Sequence, residues 1–170
     1  LNTMRIQAGN LGIGGEPVSA NGVRLQVLGE ASKSTAGDWL ANSDRRIKTN
    51  VVTVDGPQAL AKLRAVRPVA FSYTADYLAA HPDIQPRTYL NVIAQEFAEV
   101  FPDWVRSSGE PLPGTDPKDS ANQILQVDTY PLTIHAVAAI KELDAADTAL
   151  RARQDRLERE NTELKRALAE

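Results

Sequence analysis

Ile140-Lys141-Glu142-Leu143 opens a stretch in which Leu143, Leu150, Leu157 and Leu164 recur every seven residues. The companion positions, three residues before each leucine and four after the last, are Ile140, Asp147, Gln154, Asn161 and Leu168. That is the a/d pattern of a coiled coil, here with a polar middle. Arg153 at a g position faces Glu158 at the e position of a parallel neighbour, and Glu160 and Lys165 repeat the arrangement with reversed signs. Both pairs are complementary when identical helices run parallel and in register. The helix is expected to begin near Asp128 or Thr129, one of which caps it, and Pro131 is tolerated in its first turn. The alternative is an amphipathic helix folded back on its own domain. A helix over 131–168 would be roughly 55 Å long, far more than a small domain can cover. The expected oligomerisation residues are therefore Ile140, Leu143, Leu150, Leu157, Leu164 and Leu168.

Upstream, residues 43–130 read as a small mixed α/β unit. Asp55-Gly56-Pro57 starts a helix, with proline near its first turn. Leu60, Leu63 and Val66 fall on one helical face, and Pro68 ends it. Val69 to Tyr73 reads as a strand, and a second short helix runs near Gln95–Val100 until Pro102. Between Ser107 and Ser120 the glycines and prolines at 109, 111, 113, 114 and 117 predict an exposed loop. Trp39 and Trp104 are expected to pack. His81-Pro82-Asp83 lies in a proline-bracketed loop.

Residues 1–42 carry Gly9, Gly12, Gly14, Gly15, Gly22, Gly29 and Gly37 between short apolar pieces, Leu11-Gly12-Ile13 and Val23-Arg24-Leu25-Gln26-Val27. These predict short strands joined by turns. So little apolar surface cannot hold such a segment alone, so an ordered version intertwines with copies of itself; the alternative is a flexible linker. The fold class expected for the whole chain is thus α+β: a Gly-rich β-stalk segment, a small α/β domain and a long C-terminal helix in a parallel coiled coil.

The chemistry sits at the junction of the first two regions, in Ser43-Asp44-Arg45-Arg46-Ile47-Lys48. Serine is a poor nucleophile until a base takes its proton, and lysine can be that base where burial or nearby cations make it give up its own. Arg45 and Arg46 would supply the cations. The offset of five raises a geometric question. A straight strand puts the two side chains on opposite faces, and an α-helix puts them about 140° apart. They meet only if the segment bends or if an assembled oligomer joins them.

These six residues resemble the start of the intramolecular chaperone auto-processing domain, peptidase family S74, which ends many phage tailspikes, tail fibres and endosialidases. Three more blocks follow in the family's order. Leu60-Ala61-Lys62-Leu63 through Val66-Arg67-Pro68-Val69-Ala70-Phe71-Ser72-Tyr73 is similar to its helix and Pro-x-x-Phe-x-Tyr strand. Val92-Ile93-Ala94-Gln95-Glu96 through Val105 is similar to its I-A-Q-E block, and Leu125-Gln126-Val127-Asp128 through Leu143 to its closing strand and long helix. Asn91 stands where the family usually has glycine; a positive φ there would suit Asn next best. The Gly9–Gly14 and Leu25–Gly29 stretches look like stalk repeats of trimeric phage fibres. The resemblance implies that Ser43 is the nucleophile, that Lys48 is its general base and that the cut falls between Asn42 and Ser43, with Asp44, Arg45 and Arg46 in support. It implies a homotrimer working on the upstream fibre or tailspike stalk of its own chain, made as a virion precursor that folds in the bacterial host cytoplasm.

Composition narrows the rest. The 170 residues carry a formal net charge of −3, which calls for neither nucleic acid nor an anionic membrane as partner. No apolar run is long enough to span a bilayer. The absence of cysteine excludes disulfides and thiolate metal sites, and His81 and His135 alone make a zinc site in one chain unexpected. No cofactor or metal is called for, and no phosphate loop is present. Leu1 is not a natural start, and the chain reads as part of a longer one. Two alternatives stay open: a structural fibre tip that trimerises and never cuts, and the self-cleaving module of a membrane-tethered transcription factor.

Overall fold

The structure, a computed structural model, describes residues 4–7, 9–14, 24–27, 31–36 and 38–169. Among them the chain is α+β and groups into two compact units. One comprises the segments up to Val51 together with Val66–Asp128, and the other comprises Val52–Ala65 with the C-terminal segment from Thr129.

The second unit is a helix pair. Strand-poor, proline-led sequence gives α1 over Gly56–Ala65, and the Asp55 carboxylate caps it by accepting from the Gln58 amide at 2.7 Å. The long helix α4 runs Tyr130–Ala167, 38 residues or roughly 57 Å. Thr129 stands at its cap position without a side-chain cap bond, and Pro131 sits in the first turn. The two helices approach closely where α1 begins. A Cβ on Gly56 would lie 2.8 Å from the Glu142 Oε2 and 3.0 Å from its Cβ, so any larger residue there would have to push Glu142 aside. The carboxylate of Glu142 beside the first turn of α1 also suits the positive end of that helix.

The first unit carries three small sheets. Strands β1 (Met4–Gln7), β2 (Asn10–Ile13) and β3 (Leu25–Val27) form one, with β1 antiparallel and β3 parallel to β2. Two of the expected short strands are thus present; Val23, Leu28 and Gly29 of those stretches lie outside the described residues. The register pairs Met4 with Ile13, Ile6 with Leu11, Leu11 with Leu25 and Ile13 with Val27. Directly opposed residues share a face, so six apolar side chains collect on one face of this sheet. Met4, Ile6, Ile13 and Leu25 of that face are exposed.

In the second sheet β4 (Val69–Phe71) pairs antiparallel with β5 (Tyr89–Asn91). Between them lies α2 (Ala75–Ala80), capped by the Thr74 hydroxyl. An aromatic ladder ties these pieces together: Phe71 meets Tyr73 edge-on at 5.3 Å, Tyr73 meets Tyr77 at 4.9 Å and Tyr77 meets His81 at 4.1 Å between centroids. The predicted strand therefore stops at Phe71, because Thr74 starts a helix. Pro82 follows α2 in a turn. Asn91 lies in strand β5, and its side chain accepts from the Val92 amide. The only non-glycine residue with positive φ among those described is Asn50, so Asn91 stands where the family usually has glycine without taking a positive φ.

Helix α3 (Ala94–Val100) buries Phe97, which stacks on Phe101 at 5.1 Å. At the start of α3, Glu96 pairs with Arg67, and this hydrogen-bonded guanidinium holds the carboxyl below its usual range. The last sheet joins β6 (Val105–Pro111) to β7 (Gln123–Val127), antiparallel, with an irregularity between Ser107 and Pro111. This corrects the loop expected from residue 107. Gly109 takes φ +79 inside the strand and lets it bulge, Ser108 is buried, and the turn begins only at Leu112. Trp39 and Trp104 correct a second expectation: they are 77% and 40% exposed rather than packed.

Among the described residues Phe97 is the largest fully buried side chain, 1% exposed. Phe97→Ala is expected to cost about 3–5 kcal/mol, read as a fall in the urea midpoint at unchanged slope.

Candidate functional site

Just after Ser43, Asp44 is in extended backbone, with φ −65 and ψ 139. At Arg45 the chain turns into a single 3-10 turn, Arg45–Ile47, and at Lys48 it is extended again, with φ −111 and ψ 138. Asp44 is what starts the turn. Its Oδ1 accepts from the Arg46 amide at 2.8 Å, as an N-cap residue does. The turn closes through the Ile47 amide on the Asp44 carbonyl and the Lys48 amide on the Arg45 carbonyl, each at 3.2 Å.

This bend answers the question raised by the offset of five. Neither a straight strand nor an α-helix would join the two side chains, but extended–turn–extended backbone does. The Lys48 Nζ donates to the Ser43 Oγ at 2.6 Å, within one chain. The contact has the geometry of a nucleophile and its base. When the amine is neutral the same contact runs the other way, with the hydroxyl donating to Nζ, which is the arrangement that precedes proton transfer.

The neighbouring charges are arranged differently from a ring of free cations. The guanidinium of Arg46 lies on the Asp44 carboxylate, with Nη2 2.6 Å from Oδ2 and Nε 3.1 Å from Oδ1. These hydrogen bonds hold the Asp44 carboxyl below its usual range and push Arg46 up. Arg45 turns to the backbone, and its Nη1 donates to the Lys48 carbonyl at 2.9 Å. Asn50, with φ 50, ends the segment in the left-handed region that Asn tolerates well. Sequence reading missed Asn50; an asparagine two residues past the lysine was the available signal.

Every residue from 38 to 55 is exposed, including Asn42 on the far side of the junction. Large apolar side chains stand in this open strip: Trp39, Leu40, Ile47, Val51 and Val52. Water has free access to the Asn42–Ser43 peptide.

The expected oligomerisation residues lie on α4 and its C-cap. Ile140, Leu143, Leu150, Leu157, Leu164 and Leu168 are between 44% and 87% exposed. Along the same helix Arg151 pairs with Asp147, and Gln154 donates to Glu158.

A comparison with protein families matches residues 43–106 to the family model Peptidase_S74, described as a chaperone of endosialidase. The match begins at the serine of the turn and takes in three of the four blocks on which the resemblance rests; the closing block at 125–143 lies beyond it. Over residues 43–106 the chain is thus similar to the chaperone of endosialidase family, peptidase S74, the same family that its sequence blocks resemble.

Proposed function

We propose that this chain is the C-terminal intramolecular chaperone of a phage tail fibre or tailspike, that it trimerises the fibre, and that it then releases itself by cutting its own chain between Asn42 and Ser43. The observation that carries the reading is the 2.6 Å contact between Lys48 Nζ and Ser43 Oγ, at the first residue of a peptidase S74 match. The reaction runs in two steps. Ser43 Oγ attacks the Asn42 carbonyl carbon while Lys48 Nζ takes the hydroxyl proton. The Asn42–Ser43 C–N bond breaks, the proton passes to the departing Ser43 amine, and an ester joins Asn42 to Oγ. Water then hydrolyses the ester, leaving an Asn42 carboxylate on the stalk and a free amine on Ser43. The serine turns over once.

The rest of the molecule fits the chaperone part. The heptad leucines of α4 are exposed, and so is most of the apolar face of the β1–β3 sheet. Parallel association of three α4 helices would cover the first. It would also raise the local concentration of the three sheets, whose interchain pairing is slow by itself. Removal of the domain afterwards closes the easy route back and leaves the fibre kinetically trapped. The precursor would fold in the bacterial host cytoplasm and end in the virion.

The test is to refold residues 1–170 without added protease and weigh the products. The expected result is a pair of fragments, 1–42 and 43–170. With hydroxylamine present, the stalk fragment should end in an Asn42 hydroxamate, because the amine competes with water for the ester. A chain that trimerises and stays whole would instead be the structural fibre tip.

A further inference from the structure

We infer that Asp44 is a positioning residue of the self-cleavage, which acts by folding the turn that delivers Lys48 to Ser43 and not by placing its charge on Lys48. The inference rests on the self-cleavage reading above. All the bonds described for the turn join residues within 43–48: Asp44 Oδ1 to the Arg46 amide, the two 3-10 bonds, and Arg45 Nη1 to the Lys48 carbonyl. The whole stretch from 38 to 55 is exposed, so no burial in the single chain holds this shape. A lone 3-10 turn in water is marginal, since few bonds offset the backbone entropy of fixing it. Its cap therefore controls how often Nζ and Oγ meet.

An acidic residue next to a Ser–Lys pair invites a second reading, in which the carboxylate orients the base directly, as in a triad. The geometry points away from it. Arg46 reaches both oxygens of Asp44: its amide and Nε lie on Oδ1, and its Nε and Nη2 on Oδ2. The anion is thus turned to a guanidinium inside the turn. The part of Asp44 that the turn needs is an acceptor oxygen at the cap, which Asn and Ser also supply.

The experiment compares first-order cleavage rates of the 1–170 chain carrying Asp44→Ala, Asp44→Asn or Asp44→Ser. Loss of the cap should slow Asp44→Ala about five- to tenfold, the equilibrium factor typical of losing an N-cap. Asp44→Asn and Asp44→Ser should cut within about threefold of wild type, because the acceptor remains. The same three changes, made together with Ser43→Ala, should leave oligomer mass and melting temperature unchanged. That separates positioning from folding. If Asp44→Asn is as slow as Asp44→Ala, the charge matters and the inference is wrong. If Asp44→Ala cuts at the wild-type rate, the cap is irrelevant and the inference is equally wrong, although self-cleavage stands. A wild-type chain that stays whole removes the self-cleavage reading itself, and the positioning role with it.

Discussion

Ser43→Ala should leave the chain at full length under conditions in which the wild type is split, with the rate of cutting down by at least about a thousandfold. The methyl group keeps the backbone and the Asp44 cap but removes the atom that attacks. Lys48→Arg is the sharper variant. Arginine can also reach Ser43 Oγ and donate a hydrogen bond to it, so the turn and the contact can both survive. A guanidinium cannot give up its proton near neutral pH, so it cannot act as the base. Lys48→Arg should therefore be nearly as inert as Ser43→Ala, while a lysine whose role was only to hold the hydroxyl in place would be replaced well. N-terminal sequencing of the wild-type fragment is the companion measurement, and it should begin at Ser43. A different first residue would put the scissile bond elsewhere and strip the 2.6 Å contact of its meaning. Substantial cutting by Lys48→Arg would leave Ser43 as the nucleophile but assign its activation to another group.

What the sequence disclosed, and what it hid, follows from the range of the interactions concerned. The long helix was legible because its signal is a repeat, Leu143 to Leu164 at steps of seven. Helices α1 and α3 were legible because their boundaries are local: Asp55 and Pro57 at one start, Pro102 just beyond the other end. Strand β6 was not. Its second half, Ser108-Gly109-Glu110-Pro111, has the composition of a loop, and only pairing with Gln123–Val127 makes it a strand. Helix α2 was missed because the prolines at 82 and 86 dominate that neighbourhood, although Thr74 at its cap and Asp76 in its first turn were readable. The site itself was half legible. The residue types at 43 and 48 named the chemistry, but their meeting depends on a bend. The bend has a local sequence cause: an aspartate one residue before the turn, the same preference that marks helix starts. Arg45 and Arg46 read as cations for Lys48; their observed partners are the Lys48 carbonyl and the Asp44 carboxylate.

Leu150→Asp combined with Leu157→Asp should convert a trimer into a monomer and slow the cut at least about tenfold. Both leucines are exposed on α4, far along a helix of 38 residues whose partner α1 has 10. Little of α4 can therefore be covered by α1, which at 1.5 Å per residue is only about 15 Å long. Two aspartates in consecutive layers would each leave an unpaired charge in an apolar seam, at a cost of several kcal/mol per layer. Light scattering should then give the monomer mass. The effect on cleavage is the more demanding part. Ser43 and Lys48 touch within one chain, so other copies are not needed to bring them together. What other copies would add, on the proposed function, is cover. A lysine must give up its proton before it can act as a base, and burial near other cations makes that possible, whereas residues 38–55 lie open to water in the single chain. Trp39, Leu40, Val51 and Val52 on either side of the scissile bond are apolar enough to be buried when three such strips pack together. Association would thus dry a contact that already exists, which ties the cut to completed assembly without moving either catalytic group between chains. The rate of cleavage in a refolding mixture should accordingly fall on dilution of the wild type and be independent of concentration in the double variant. A monomeric double variant that cuts at the wild-type rate would mean that the open turn is sufficient by itself, and cleavage would then carry no information about whether the trimer has formed.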